Sequence, residues 1–181
     1  MSRKKIIQRY IDKVKATSYL EIGSSKGSTF NVIKCDKKVS VNFIWSADYH
    51  MTSDKFFQQN KDTFDIIFID GLHENEQVYR DINNSLKILN RSGYIICHDM
   101  NPRNEKMQKY PQPKNQSAWN GDCWKAWVRL RRKRDDLNMY VINSDNGCGV
   151  IQIGIQELLT DNLDLTYENF DANRKKWLNL I

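Results

Sequence analysis

Apolar positions along the chain follow two alternating rhythms. Four short runs, "SYLEIG", "KVSVNF", "FDIIFID" and "GYIICHD", are rich in β-branched and aromatic residues and are bounded by turn formers, as strands buried on both faces should be. Around them the period lengthens. In "ENEQVYRDINNSLKILN", Val78, Ile82, Leu86 and Leu89 form one helical stripe, and near the start Ile7, Ile11 and Val14 form another. Strand–helix alternation of this kind predicts an α/β fold with a doubly wound, mostly parallel sheet and helices on both faces. The tail breaks the rhythm: "MYVIN" and "VIQIG" flank a tight Asn146-Gly147 turn, which predicts an antiparallel last strand. A closing helix follows in "LTYENFDANRKKWLNLI", with Thr166 as its N-cap and Phe170, Trp177 and Leu178 for packing.

The interval "NPRNEKMQKYPQPKNQSAWNGD", Asn101 to Asp122, has neither period. Irregular loops this long inside a compact unit more often bind or cover ligands than serve as connectors. The chain of 181 residues is otherwise free of repeats and linkers, so one domain over residues 1–181 is expected. No apolar run approaches the ~20 residues that span a bilayer, and the basic N-terminus lacks the apolar core of a secretion signal. Cys35, Cys97, Cys123 and Cys148 are scattered without a Cys-x-x-Cys pair, which suggests reduced thiols and a cytoplasmic location. The net charge of +6 concentrates at Arg129, Arg131, Arg132, Lys133 and Arg134, where cations complement a helix C-terminus; charge alone names no partner.

In open α/β sheets, ligands bind beyond the C-terminal ends of the strands. The first strand ends "YLEIGSSKGSTF", with Glu21, Gly23, Ser25 and Gly27 at alternate positions and a helix expected from near Ser28. Glycines 23 and 27 permit positive φ and close approach of a ligand to the backbone. Their spacing differs from the G-x-G-x-x-G of dinucleotide sites. It resembles motif I of the class I S-adenosylmethionine-dependent methyltransferases, acidic-x-G-x-G-x-G, with Ser25 in place of the middle glycine. That resemblance implies a Rossmann-like sheet of seven strands and S-adenosyl-L-methionine as cofactor. It further implies that Glu21, Gly23, Ser24, Ser25, Lys26, Gly27 and Asp70 surround the cofactor's methionine end. Asn42 would take the ribose hydroxyls, with Asp48 as a rival, and Ser53 would contact adenine. Without a ligand, Ser53 would instead be the N-cap of the helix carrying Phe56 and Phe57.

The fourth and fifth strands end in "FIDGLH" and "IICHDMNP", which sends Asp70, His73, His98 and Asp99 to one sheet edge. These ends resemble a compact branch of the same methyltransferases, with Asp-Gly-x-His after strand four and His-Asp after strand five. A sulfonium methyl is already activated, so what remains is to hold the acceptor in line and to take its proton. A histidine steadied by a carboxylate suits that task. A divalent cation such as Mg2+ is the other solution. Catechol-type O-methyltransferases, which the arrangement also resembles, use an aspartate after strand four and an Asp-Asn pair after strand five. Here Met100 interrupts that pair, leaving Asp70, Asp99 and Asn101 as candidate ligands. Taken singly, each of these residues also reads as a turn or helix cap. Trp119 is a candidate for stacking on an acceptor, whereas Trp124 and Trp127 suit the core and Asp122 the N-cap of the helix from Cys123.

The expected activity is therefore O-methylation of a small-molecule or glycan hydroxyl. Nucleic-acid amines fit poorly, because Asp70-Gly71-Leu72-His73 stands where the enzymes acting on them resemble one another in an Asx-Pro-Pro-aromatic motif. Ribose methylation, cofactor binding without catalysis and a nicotinamide-dependent oxidoreductase are the competing readings, and the sequence leaves the oligomeric state open.

Overall fold

The structure, a computed structural model, describes residues 1–44 and 47–181. Among these residues, seven strands form one sheet: β1 (Ser18–Ile22), β2 (Lys37–Asn42), β3 (Tyr49–His50), β4 (Phe64–Ile69), β5 (Leu89–Cys97), β6 (Leu137–Ile142) and β7 (Cys148–Ile153). Their spatial order is β3-β2-β1-β4-β5-β7-β6. The pairs from β3 through β5 are parallel, and β7 runs antiparallel to both β5 and β6. The strand sequence reverses direction between β1 and β4, and such a reversal opens a crevice at the C-terminal strand ends.

The helices are α1 (Arg3–Val14), α2 (Ser53–Gln59), α3 (Asn75–Ile88), α4 (Cys123–Arg131) and α5 (Tyr167–Leu178). They divide unequally between the faces. Strand alternation sends Leu20, Ile22, Ile67, Ile69, Ile95 and Ile151 to one side, where they pack with α2, α3, α4 and α5 around Trp124, Trp127 and Trp177. The intervening residues Tyr19, Ile66, Phe68, Tyr94, Ile96 and Val150 face the other side, where α1 contributes Ile6, Ile7, Tyr10 and Ile11.

Several local expectations are corrected. No α-helix follows the glycine turn. The chain makes tight turns there and then a short 3-10 segment, Phe30–Val32, before entering β2. The link from Ser28 to Asp36 must return across the sheet, and at ~1.5 Å per residue a helix would leave no chain for the reversal. Lys38 Nζ satisfies the carbonyls of Phe30 and Ile33 instead. The N-cap of α2 is Thr52, whose hydroxyl accepts from Lys55 N; Ser53 is already inside the helix. The Asp122 carboxylate accepts no backbone N–H of its own helix, where it pairs with Lys125 Nζ at 3.3 Å, and caps α3 instead, accepting from Asn75 N and Nδ2, both at 2.7 Å. Thr166 does cap α5. The cationic end of α4 is ion-paired: Arg129 with Glu76, Arg132 with Asp161, Arg134 with Asp136. The four cysteines are free thiols. Among the described residues, no helix is long and apolar enough to cross a membrane.

Candidate active site

The turn leaving β1 is shaped by contact with the end of β4. Gly23 has φ +88, and a Cβ there would lie 2.2 Å from the Asp70 carbonyl oxygen, so only glycine lets the two strand ends meet. Ser25 and Gly27 also have positive φ, which turns the chain outward over the sheet edge. Beside this turn opens a cavity of about 550 Å³. Of the residues the sequence assigned to a cofactor, Gly23, Ser25, Lys26, Asn42, Ser53 and Asp70 line it. Glu21, Ser24 and Gly27 support the turn without lining the cavity. Ser24 is buried with its Oγ unpartnered. Asn42 braces the turn, donating from Nδ2 to the Ser25 carbonyl at 3.0 Å. Asp48 is turned away, its carboxylate accepting from Ser40 N and Oγ.

Glu21 is buried and accepts from the Tyr19 hydroxyl at 2.5 Å. Burial pushes its carboxyl up to about 7, with Asp70 adding to the shift while Tyr19 and Arg3 oppose it.

Asp70 joins the cavity to a second cluster. His73 bridges two carboxylates, with Nε2 at 3.5 Å from Asp70 Oδ1 and Nδ1 at 3.5 Å from Asp99 Oδ2. One donor atom from each of Asp70, His73 and Asp99 lies within 4.8 Å of the others. Burial opposes charge on both partners, yet their mutual contacts prevail: Asp70 is held far below the usual carboxylate range and His73 above the usual imidazole value. His98 lies deeper. Its Nδ1 is 2.9 Å from Asp99 Oδ2 and 3.3 Å from Asp70 Oδ1, and its Nε2 is 3.5 Å from Asp145 Oδ1. Against the cost of burial, those three carboxylates push its pKa up to about 12.

The long loop straps this cluster down. Trp119 stacks on the His73 imidazole with centroids 4.7 Å apart and planes 14° from parallel, so His73 takes one of its faces. Asn120 is fully buried and donates to Asp99 Oδ1 at 3.0 Å. Gly121 presses on His73 so closely that a Cβ would fall 1.9 Å from its carbonyl oxygen. Asn101 is not brought to the cluster: its Oδ1 accepts from Arg174 and its Nδ2 donates to Asn143. The side chain that completes the donor set is His73.

Sequence reasoning missed Arg3, Asn120 and Asp145. Arg3 reaches from α1 to within 3.0 Å of His98 Nε2 and 3.9 Å of Asp70. Asp145 belongs to the β6–β7 turn, which the Asn-Gly signal marked only as a turn; it accepts from Arg3 N at 2.6 Å. No local pattern announces either contact.

Residues 40–100, which span β2 to the turn beyond β5, match a family described as a methyltransferase domain. No curated protein sequence matches the chain. Among solved structures it is similar to the O-methyltransferase TomG from Streptomyces achromogenes, solved in complex with SAM, with 11% identity, a TM-score of 0.59, and 84% of this chain and 79% of that one covered. It is similar also to an O-methyltransferase from Bacillus cereus in complex with SAH, with 14% identity, a TM-score of 0.56, and 85% and 80% covered. The N-methyltransferase NodS from Bradyrhizobium japonicum superposes as well, with 14% identity, a TM-score of 0.55, and 86% and 95% covered. Enzymes that methylate oxygen and nitrogen thus share this architecture, and the acceptor atom has to be argued from the site. The chain thus has the fold of the methyltransferases it superposes on, and residues 40–100 match the methyltransferase-domain family.

Proposed function

We propose that residues 1–181 act as one methyltransferase domain that moves the methyl of S-adenosylmethionine to a hydroxyl of a small molecule or sugar, in the cytoplasm. The observation that carries this reading is the double position of Asp70, which lines the cavity beside the glycine turn and also contacts His73. Gly23, Ser25 and Lys26 would hold such a cofactor along the turn, and Asp70, which lines the same cavity, would link it to His73 and Asp99. A carboxylate-rich rim favours the sulfonium cation.

When bound, S-adenosylmethionine would supply an activated methyl and a neutral thioether leaving group, so the chain's own residues have only to hold the acceptor in line and take its proton. The acceptor proton passes to His73, whose ring is fixed by Asp70, Asp99 and the Trp119 face. His98, enclosed by three carboxylates and Arg3, positions Asp70 and Asp99 and has no free nitrogen for an acceptor.

A second reading is favoured by one feature, the buried His73 Nδ1 that makes no hydrogen bond. Asp70, His73 and Asp99 fit a divalent cation, which when bound would polarise the acceptor hydroxyl. Transfer of labelled methyl from S-adenosylmethionine to a panel of phenols, catechols and sugars tests the activity, and titration calorimetry with S-adenosylhomocysteine tests the cofactor. Absence of heat with the unmodified protein removes the proposal. Full activity after exhaustive chelation removes the cation and leaves His73 as the base.

A further inference from the structure

The first turn of α1 carries Arg3, Lys4 and Lys5 and no acidic residue, although a cation at a helix N-terminus opposes the helix dipole. Helix stability therefore does not account for Arg3. Its side chain turns inward to the edge of the sheet, where it is 29% exposed.

The guanidinium lies flat on a histidine. Its Nη1 is 3.0 Å from His98 Nε2 and 3.3 Å from His98 Nδ1. One atom can be that near both ring nitrogens only over the face of the imidazole, because an approach in the ring plane would drive it into Cε1. Arginine's planar, delocalised cation stacks in this way. The ring edges stay with carboxylates, Nδ1 toward Asp99 and Asp70, Nε2 toward Asp145. From the same guanidinium, Nε donates to the buried Thr29 Oγ1 at 3.4 Å and stands 3.9 Å from Asp70 Oδ2. The two oxygens of Asp70 are thereby divided: Oδ2 faces Arg3, while Oδ1 faces His73 and His98. Among the described residues, no other arginine or lysine pairs with Asp70.

Asp145 holds Arg3 at both ends. Its Oδ2 accepts from the Arg3 backbone N–H at 2.6 Å, and its Oδ1 is 3.8 Å from Nη1. The turn that carries Asp145 is bonded in turn to the segment leaving β5, with Met100 N donating to the Gly147 carbonyl and Asn101 N to the Asn146 carbonyl. Arg3, the β6–β7 turn and the end of β5 are thus one joined unit.

We propose that Arg3 is a positioning residue for the methyl transfer: stacked on His98 and held by Asp145, it keeps Asp70 turned with Oδ1 toward His73, and so keeps His73 aimed at the acceptor. This rests on the reading of His73 as the base. Arg3 itself touches neither acceptor nor cofactor.

The test is labelled-methyl transfer by the full chain to the phenols, catechols and sugars above, with calorimetry of S-adenosylhomocysteine alongside. Arg3→Ala is expected to lower kcat by about 10- to 100-fold, the scale for a small misplacement of a reacting group, with acceptor KM and S-adenosylhomocysteine affinity within about threefold. Millimolar guanidinium chloride should restore part of the lost kcat where sodium chloride restores none, because the partly exposed site left by the side chain admits the free cation. Arg3→Lys keeps the charge and the helix but cannot lie flat on the imidazole, so its kcat should also fall, by at least about fivefold. It serves alone if the alanine variant does not fold. Full kcat in either variant overturns the assignment. A loss shared equally by kcat and S-adenosylhomocysteine affinity, or one that guanidinium leaves unchanged, makes Arg3 a structural anchor of α1 and overturns it too. If the unmodified protein transfers no methyl to any of these acceptors, the transfer reading falls and takes Arg3 with it, whereas transfer indifferent to residue 3 removes only the role of Arg3.

Discussion

At the residue scale, His73 and Asp99 are separable from the cofactor cavity, because neither lines it while both contact the cluster at its rim. His73→Ala and Asp99→Asn are therefore each expected to lower kcat by about 10²- to 10⁴-fold, the range for a lost general base or its orienting group. Affinity for S-adenosylhomocysteine should stay within about threefold. A proportional loss of both, by methyl-transfer assay and calorimetry, would return these residues to a structural role. Glu21 has a different signature. Its carboxyl is pushed up to about 7, so between pH 4.5 and 7 the folded state keeps a proton that the unfolded chain has released. Stability therefore falls as pH rises through that window, by about 3 kcal/mol from this group. Glu21→Gln still accepts from Tyr19 and has no charge to bury, so it should exceed the unmodified protein by ~2–3 kcal/mol at pH 8 and match it near pH 4.5 in urea melts. Asp81 is raised in the same direction, but it titrates in both proteins and cancels from the difference.

At the element scale, the strands were legible because a buried parallel sheet demands continuous apolar runs, and the α3 stripe because a half-buried helix demands one apolar face. What failed was local inference about ends. Asp122 satisfies every sequence criterion for capping α4, but its carboxylate turns to the free amides at the start of α3, brought beside it by the packing of the two helices. Nothing local to residue 122 says that Asn75 is within reach. Asp122→Ala is accordingly expected to cost about 1–2 kcal/mol by loosening the first turn of α3, not α4. Hydrogen exchange should show new opening at residues 75–78 with the amides of α4 unchanged. The helix expected near Ser28 failed for a related reason, since composition there permits a helix and only the length of the return path to β2 forbids it.

For the whole molecule, sequence reveals those site residues that topology alone brings together. Asp70, His73, His98 and Asp99 follow adjacent parallel strands, so their meeting is a consequence of the sheet. Arg3, Asn120 and Asp145 come from a helix, a loop and a hairpin whose docking depends on tertiary packing, and they were not visible. The result is a chain of net charge +6 that gathers Glu21, Asp70, Asp99 and Asp145 at one edge of its sheet. His73, His98 and Arg3 already pair with these carboxylates, and a ligand bound only by the folded state adds its own binding free energy to stability. A ligand at about 100 times its Kd adds ~2.7 kcal/mol to stability, which for a chain of this length corresponds to a rise in Tm of about 5–10 °C. S-adenosylmethionine should produce that rise in the unmodified protein. In Gly23→Ala, where the added Cβ meets the Asp70 carbonyl and positive φ is strained, the starting Tm should be lower and the ligand-induced rise lost. If the variant melts early yet still gains the full increment, the glycine turn is a structural joint between β1 and β4, and the cofactor lies elsewhere.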